Sequence, residues 1–159
     1  MKKNIEEVTL IGRAFPDSLM DNSGTFAGCN QSLEEDEAFQ NFIKENHLES
    51  SRASLLAFGP ENFMYWYGVL VSGKHDAVKG LLKFNLPASE VFESESDENV
   101  AYFDMPLPIE IPHFLDEADK EGIEYDRNLG NSDMPFILRS MNMETKKLTK
   151  ILYLKSVEK

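Results

Sequence analysis

The sequence predicts an α+β protein built from two modules, each ordered strand, helix, strand, strand, with antiparallel sheet and a groove between the modules. Two amphipathic helical patterns predict it, since each is flanked by extended apolar runs. The aromatic run 58–72 supports it, because it holds the only Trp and two of the five Tyr. A length of 159 residues fits one domain, 1–159, with pseudo-repeat halves 1–73 and 78–159.

The first module begins with a predicted strand from Ile5 to Phe15. Proline, asparagine and glycine in 16–31 predict a long loop, which carries the only cysteine, Cys29. Ser32 and Glu35 then have the spacing of a capping box, so a helix is expected from about Leu33 to Asn46. The apolar face of this helix holds phenylalanine and isoleucine.

The two strands that follow the helix are predicted over 53–58 and 63–71, and Gly59-Pro60 forms the turn between them. The second of these strands is apolar on both faces. Alternation places Tyr65 and Tyr67 on one face and Trp66 on the other. Both faces of this strand are therefore expected to be covered.

The second module repeats this order. An extended region over 81–92 is interrupted at Pro87, the acidic cluster 93–98 is expected to be a loop or hairpin tip, and 100–103 a short strand. A helix is predicted between Pro112, which suits its first turn, and Gly122, which suits its C-terminal cap. The last strands are predicted over 134–141 and 151–157, and each helix is expected to leave the opposite sheet face free to form the shared groove.

Charge and composition restrict the function. The formal net charge is −12, and residues 93–133 hold −11 of it, which disfavours direct binding to nucleic acid or anionic membranes. One cysteine and three dispersed histidines give no zinc-type spacing, so no metal and no cofactor are expected. Because neither a signal peptide nor a membrane span is recognisable, we expect a cytoplasmic protein.

Three segments resemble the gyrase-inhibitor-like small-molecule-binding family, whose domain is also the effector-binding part of bacterial multidrug-sensing transcription regulators. Residues 67–71 (YGVLV) are similar to its "Tyr-Gly-Val-x-Val" strand. Residues 86–92 (LPASEVF) are similar to its "Ile-Pro-Ala-Gly" strand start, and 150–155 (KILYLK) to its closing strand. With the repeated module order, the resemblance covers most of the chain and identifies it as a stand-alone member.

The resemblance implies a groove in which aromatic rings and a buried carboxylate hold lipophilic cations. This sequence departs from that pattern on the penultimate strand, where 135–139 (PFILR) has no acid. Arg139 stands there instead and would suit an anionic ligand. Glu90 or Glu61 could supply a carboxylate from elsewhere.

The first functional hypothesis is a non-catalytic module that binds a small, hydrophobic molecule in an aromatic groove. Because the two faces of one strand cannot line the same pocket, part of the candidate set must lie elsewhere. The candidate binding residues are Tyr65, Trp66, Tyr67, Glu90, Phe92, Tyr102, Phe136 and Tyr153.

Two alternatives remain. The acidic block 93–133 could bind a basic protein, as in a gyrase inhibitor or a toxin-neutralising protein. Some stand-alone relatives are hydrolases that use a Tyr and a Glu, and Glu61 lies near Tyr65 and Tyr67 in this sequence. The chain offers no Ser/His/Asp order and no phosphate-binding glycine loop, so binding is favoured over catalysis.

Overall fold

A computed structural model describes residues 1–156 of the chain. In this part of the chain the strands are β1 (Lys2–Ile5), β2 (Val8–Pro16), β3 (Ser51–Phe58), β4 (Phe63–Ser72), β5 (Leu82–Leu86), β6 (Ser89–Asp97), β7 (Phe136–Asn142) and β8 (Lys147–Ser156). The α-helices are α1 (Ala27–Glu34), α2 (Glu37–Glu45) and α3 (Leu107–Lys120). Short 3-10 helices span Asp17–Leu19, Val100–Asp104 and Leu129–Asn131.

All of these strands form one sheet in the order β1-β6-β8-β7-β3-β4-β2-β5, and every neighbouring pair is antiparallel. The order is symmetric about the boundary between β7 and β3. Strands β8 and β4 come next, then β6 and β2, and β1 and β5 form the edges. The predicted α+β class is confirmed. The boundaries of the two halves stay a prediction.

The aromatic strand has the predicted bounds within one residue, and its two faces enter two different cores. Tyr65 and Tyr67 are buried against the helices, whereas Trp66 is buried on the other side of the sheet. We call the first side the helix face, because α1, α2 and α3 all pack there. The second side is the inner face.

The sheet curls toward the inner face into a half-barrel. Phe84 on β5 and Phe136 on β7 show this, because their ring centroids are 5.3 Å apart although β3, β4 and β2 lie between their strands. Four strand spacings in a flat sheet would separate them by about 19 Å. The sequence predicts the groove on the sheet face opposite the helices, but aromatic rings pack against one another on that inner face. From here on, the groove means the space on the helix face between α1 and α3, above the central strands β7 and β3.

The first half departs from the prediction in two places. The predicted strand 5–15 is two strands, since β1 pairs with β6 while β2 pairs with β4 and β5. The predicted loop 16–31 contains most of α1, and the helix expected at 33–46 is a separate helix, α2. Its N-cap is Asp36, which accepts from the Phe39 backbone N–H at 3.0 Å, while the Ser32 hydroxyl donates to the Cys29 carbonyl.

The second half has three corrections. The acidic cluster 93–98 belongs mostly to β6, because lysines on the neighbouring strands pair with its acids: Lys3 with Glu93 and Lys147 with Glu95. The predicted strand 100–103 is a 3-10 helix, capped by Asn99. Helix α3 begins before its predicted start, so Pro112 lies inside it.

Strand β8 begins at Lys147, four residues before its predicted start at 151, whereas the ends of β7 lie within two residues of the prediction. Gly122 follows the C-cap of α3 with a φ of 71°, the left-handed conformation that suits glycine there. The predicted end of the last strand, Val157, lies outside the described residues. No helix in the described range is both long and apolar enough to span a bilayer.

Candidate functional site

The structure divides the predicted binding residues between the two faces. Tyr65, Tyr67, Phe92 and Tyr102 are buried on the helix face, and Trp66 and Tyr153 on the inner face, where the half-buried Phe136 packs against them. Glu90 is on β6, 3.4 Å from Lys2 on the edge strand, with its side chain 37% exposed. The set therefore does not form one pocket, and a binding role for each member stays a prediction.

On the inner face the rings fill the inside of the half-barrel. Edge-to-face contacts run from Trp66 to Phe84, on to Phe136 and then to Tyr153, with centroids 5.3 to 6.0 Å apart. This geometry is the favourable one for aromatic pairs in a core. The Tyr153 hydroxyl is buried and has no hydrogen-bond partner among the described residues, and burial raises its pKa.

On the helix face, α1 and α3 lie on opposite sides of the groove. Helix α1 contacts β4 and β2, whereas α3 packs over β6 and β8 through Phe114, which stacks on Phe92. The floor between them is the centre of the sheet, β7 and β3. A row of polar side chains crosses this floor from strand to strand.

The polar row follows from the strand register. Lys150 on β8 is paired with Ser94 on β6 and with Arg139 on β7. Arg139 is in turn paired with Ser54 on β3, and Ser54 with Tyr67 on β4. The next row on the same face is entirely apolar or aromatic: Phe92, Leu152, Ile137, Leu56 and Tyr65. Lys150, Arg139 and Ser54 are 6%, 2% and 0% exposed, so this is a buried polar stripe.

The α3 end of the polar row is satisfied within the chain. Lys150 lies 3.1 Å from Glu117 on α3, and the Ser94 hydroxyl donates to the same carboxylate. Burial alone would raise the pKa of Glu117, but the bonds from Ser94 and Lys150 lower it more, so the net pKa is below the ordinary value. The Lys150 charge is therefore neutralised in place.

The α1 end is also satisfied. The Tyr67 hydroxyl donates to Glu34 at 2.7 Å, and Arg52 makes two bonds to the same carboxylate, at 2.7 and 2.9 Å. Burial raises the pKa of Glu34, but Arg52 and the Tyr67 hydroxyl lower it further, so the net shift is downward. Burial and the adjacent Glu34 raise the pKa of Tyr67.

The Tyr67–Glu34 pair is chemically poor for catalysis. A tyrosine with a raised pKa is a weak nucleophile, and a carboxylate held by an arginine is a weak proton acceptor. Glu61, the acid proposed from the sequence, is exposed in the turn between β3 and β4. The Tyr65 hydroxyl bonds to Asn30 instead, at 2.7 Å.

Arg139, at the centre of the polar row, is left largely unsatisfied. Its Nε donates to the Ser54 hydroxyl at 2.8 Å. Its two terminal nitrogens, Nη1 and Nη2, are buried without a hydrogen-bond partner among the described residues. Buried polar groups in folded proteins are almost always paired, so two free guanidinium nitrogens at one position require an explanation.

The short 3-10 helix Val100–Asp104, which we call the 100–104 plug, covers Arg139. The rings of Tyr102 and Phe103 each lie 5.5 Å from the guanidinium carbon. Asn30 on α1 holds the plug, because its side-chain amide donates to the Phe103 carbonyl at 3.0 Å and to Asp104 at 2.9 Å. Burial and the nearby Glu110 raise the pKa of Tyr102, and the adjacent Arg139 offsets part of this increase.

A cavity lies on each side of the plug. One, of about 460 Å³, is bounded by the plug, α3 and Lys150. The other, of about 300 Å³, is bounded by the plug, α1 and Tyr67. Residues of the plug line both cavities, and its rings lie over Arg139. A larger concavity of about 710 Å³, beside α2, contains none of the predicted residues.

No group of three or more His, Cys, Asp or Glu side chains in residues 1–156 is arranged to hold a metal ion. The sequence singled out Arg139 as a departure from the family's pattern, and it placed Tyr65 and Tyr67 on one sheet face and Trp66 on the other. It missed Ser54, Lys150 and Asn30. No local motif marks these residues, because they meet only through the strand register and the packing of α1.

Comparisons with known proteins give the fold alone. No protein-family model matches the chain, and no curated protein matches it. The structure of SAV2435 bound to tetraphenylphosphonium is similar, with a TM-score of 0.58 and 12% identity, covering 98% of this chain and 93% of that one. A putative bacterial transcription regulation protein from Staphylococcus aureus MU50 has a TM-score of 0.51 and 9% identity, and the match covers 98% of this chain and 97% of that one. An integron cassette protein from the mobile metagenome of Vibrio cholerae has a TM-score of 0.50 and 6% identity, and the match covers 98% of this chain and 95% of that one. The chain therefore shares its fold with a protein whose structure holds a hydrophobic cation.

Proposed function

We propose that the protein is a small-molecule-binding module, a single domain of the gyrase-inhibitor-like type, which holds a mostly apolar ligand in the groove between α1 and α3. The observation that carries the proposal is the 100–104 plug over the polar row. A five-residue 3-10 segment, tied by one asparagine side chain, covers a buried floor and has a cavity on each side. Displacing this short segment is the local change that would open the groove, and its cost includes exposing the buried rings of Tyr102 and Phe103.

The groove has the composition of a ligand site. Ligand pockets are mostly apolar and aromatic, with a few polar groups that fix orientation. Here the rings of Tyr65, Phe92 and Tyr102 adjoin a single polar row. The fold shared with SAV2435, whose structure contains tetraphenylphosphonium, supports the same class of function.

The basic-partner alternative gains no specific support. Among the described residues, four acids of the block 93–133 lie beside a Lys or Arg: Glu93, Glu95, Glu117 and Asp119. The block is therefore less negative as a surface than its sequence indicates. The other acids of the block 93–133 have the solvent exposure that is ordinary for acidic side chains.

The test is calorimetric titration of the protein with tetraphenylphosphonium and with tetraphenylborate, two ions of matched shape and opposite charge. Saturable binding of either ion supports the proposal. The ion that binds more tightly shows whether the electrostatic potential in the groove is negative or positive. If neither ion binds, and none of the naphthalene probes introduced below binds either, the proposal is wrong. Trp66 fluorescence is a poor readout, because Trp66 lies on the inner face.

A matched pair of variants locates the binding. Phe103→Ala removes a ring of the plug on the helix face, and Trp66→Phe changes a ring on the inner face. We expect Phe103→Ala to change the affinity for whichever ion binds and Trp66→Phe to leave it unchanged. The reverse pattern would place the ligand inside the half-barrel.

A further inference from the structure

The geometry points to an anionic ligand: an organic acid with an apolar, ring-containing body, whose carboxylate is held by Arg139. This inference rests on the proposed binding function and specifies the ligand class for that groove. It differs from the lipophilic cations that the sequence resemblance implies. Four observations carry it, and each concerns side chains on the helix face.

The first observation is the isolation of the Arg139 guanidinium. The residue is 2% exposed, and its single hydrogen bond goes from Nε to the Ser54 hydroxyl. Nη1 and Nη2 have no partner within residues 1–156. A buried guanidinium without a counter-ion is costly, and a bound anion would remove that cost.

The second observation is that this chain can satisfy a buried arginine where it needs one for structure. Arg52 is 6% exposed and bonds to both oxygens of Glu34, while its Nη1 donates to three backbone carbonyls. Arg139, on the next strand, has no equivalent acid in the described residues. The difference marks Arg139 as a group whose partner comes from outside the chain.

The third observation is the sign of the charge on the floor. Lys150 lies directly opposite Arg139 on β8, and both side chains point to the helix face. Glu117 neutralises Lys150, so Arg139 is the uncompensated charge of the polar row. A lipophilic cation placed there would be repelled. The two terminal nitrogens of a guanidinium instead match the two oxygens of a carboxylate.

The fourth observation is the covering of Arg139 by rings. The rings of Tyr102 and Phe103 occupy the space over the guanidinium, each with its centroid 5.5 Å from the guanidinium carbon. A ligand whose carboxylate reaches Nη1 and Nη2 must displace these rings or pass between them. A flat aromatic body can replace their contacts, which favours an aromatic acid over a small inorganic anion.

The experiment is isothermal titration calorimetry with three probes of the same shape: 2-naphthoate, neutral 2-naphthamide and cationic 2-naphthylmethylammonium. We expect 2-naphthoate to bind at least tenfold more tightly than either of the others. Arg139→Met should lower the affinity for 2-naphthoate at least tenfold and leave that for 2-naphthamide unchanged. Arg139→Lys keeps the charge but loses the paired nitrogens, so an intermediate loss is expected.

The matched control is Arg127→Met, the same change at an arginine that is 69% exposed and paired with Asp119. It should leave all three affinities unchanged. Far-UV circular dichroism confirms that each variant is folded, and Arg139→Lys still decides the question if Arg139→Met does not fold.

The two proposals fail in different ways. If 2-naphthamide or the cation binds as tightly as 2-naphthoate and the Arg139 variants change nothing, the anion inference is overturned while the binding function stands. If no naphthalene probe and neither tetraphenyl ion binds, the binding function is overturned and the inference with it.

Discussion

Two arginines on the helix face, Arg52 on β3 and Arg139 on β7, have the same burial and opposite surroundings. Arg52 has a bidentate carboxylate partner, three carbonyl contacts and the Phe39 ring at 5.3 Å. Arg139 has one hydroxyl and two rings. The contacts of Arg52 hold β3, α1 and the segment before β3 together. The contacts of Arg139 leave its guanidinium charge without a counter-ion among the described residues.

The comparison separates a structural ion pair from a binding group. A buried pair stabilises the fold only while both members are present, and removing one leaves the other without compensation. A buried charge without a counter-ion lowers the free energy of unfolding, and binding of a ligand of opposite charge would restore it. Opposite effects on stability are therefore expected when each arginine is replaced by the same apolar residue.

The largest expected effect is on the free energy of unfolding. Arg52→Met should lower it by about 3 kcal/mol, because Glu34 remains half-buried without its counter-ion. Arg139→Met should leave it unchanged or raise it by about 1 kcal/mol, because an uncompensated charge is removed. Urea unfolding followed by circular dichroism measures both. Equal losses in the two variants would contradict the distinction.

The next effect is a pH dependence. The folded-state pKa of Glu34 lies below its ordinary value of 4.5, so its ionised form stabilises the fold above that pH, and the stabilisation is lost as pH falls through the folded pKa. The difference in unfolding free energy between wild type and Arg52→Met should therefore shrink below pH 4.5. A constant difference from pH 7 to pH 3 would show that the pair does not titrate with folding.

A smaller effect is expected at the plug. Asn30→Ala removes the side-chain amide that holds Phe103 and Asp104, at a cost of about 1 to 2 kcal/mol. Backbone amides of 100–104 should exchange with deuterium faster, and 2-naphthoate should bind several-fold more tightly because the plug opens more readily. Asn85→Ala, at a side chain that donates to Thr9 beside edge strand β5, is the matched control. Unchanged exchange in Asn30→Ala would show that Asn30 does not restrain the plug.

The smallest effect is expected on the inner face. Tyr153→Phe removes a buried hydroxyl that has no partner in the described part of the chain, so stability should change by less than about 0.5 kcal/mol, with a tendency to increase. Affinity for 2-naphthoate should stay the same. A loss of affinity here would move the binding site from the helix face to the inside of the half-barrel.

Much of the sheet was predictable because strand signals are local. The alternation of residues in β4 correctly assigned Tyr65 and Trp66 to opposite faces of the sheet. Gly59-Pro60 marked the turn that precedes this strand. Helix α1 was missed because its first turn has no side-chain cap and its sequence is weakly amphipathic. Residues 100–103 of the plug were predicted as a strand because their aromatic rings favour strands, whereas Asn99 caps the segment as a 3-10 helix.

The site was less predictable than the fold. Arg139 stood out only as a departure from a motif, and its free nitrogens cannot be seen without the strands beside it. The polar row depends on the register of β6, β8, β7, β3 and β4, and a shift by one residue would turn each side chain to the other face. Register between strands distant in sequence is not encoded in any short segment.

The most direct test of the central claim is a crystal structure of the protein with 2-naphthoate. The account predicts the carboxylate within hydrogen-bond distance of both Nη1 and Nη2 of Arg139, with Tyr102 and Phe103 displaced. A ligand among the rings of the inner face, or one that leaves the plug in place and Arg139 still unpaired, would contradict it.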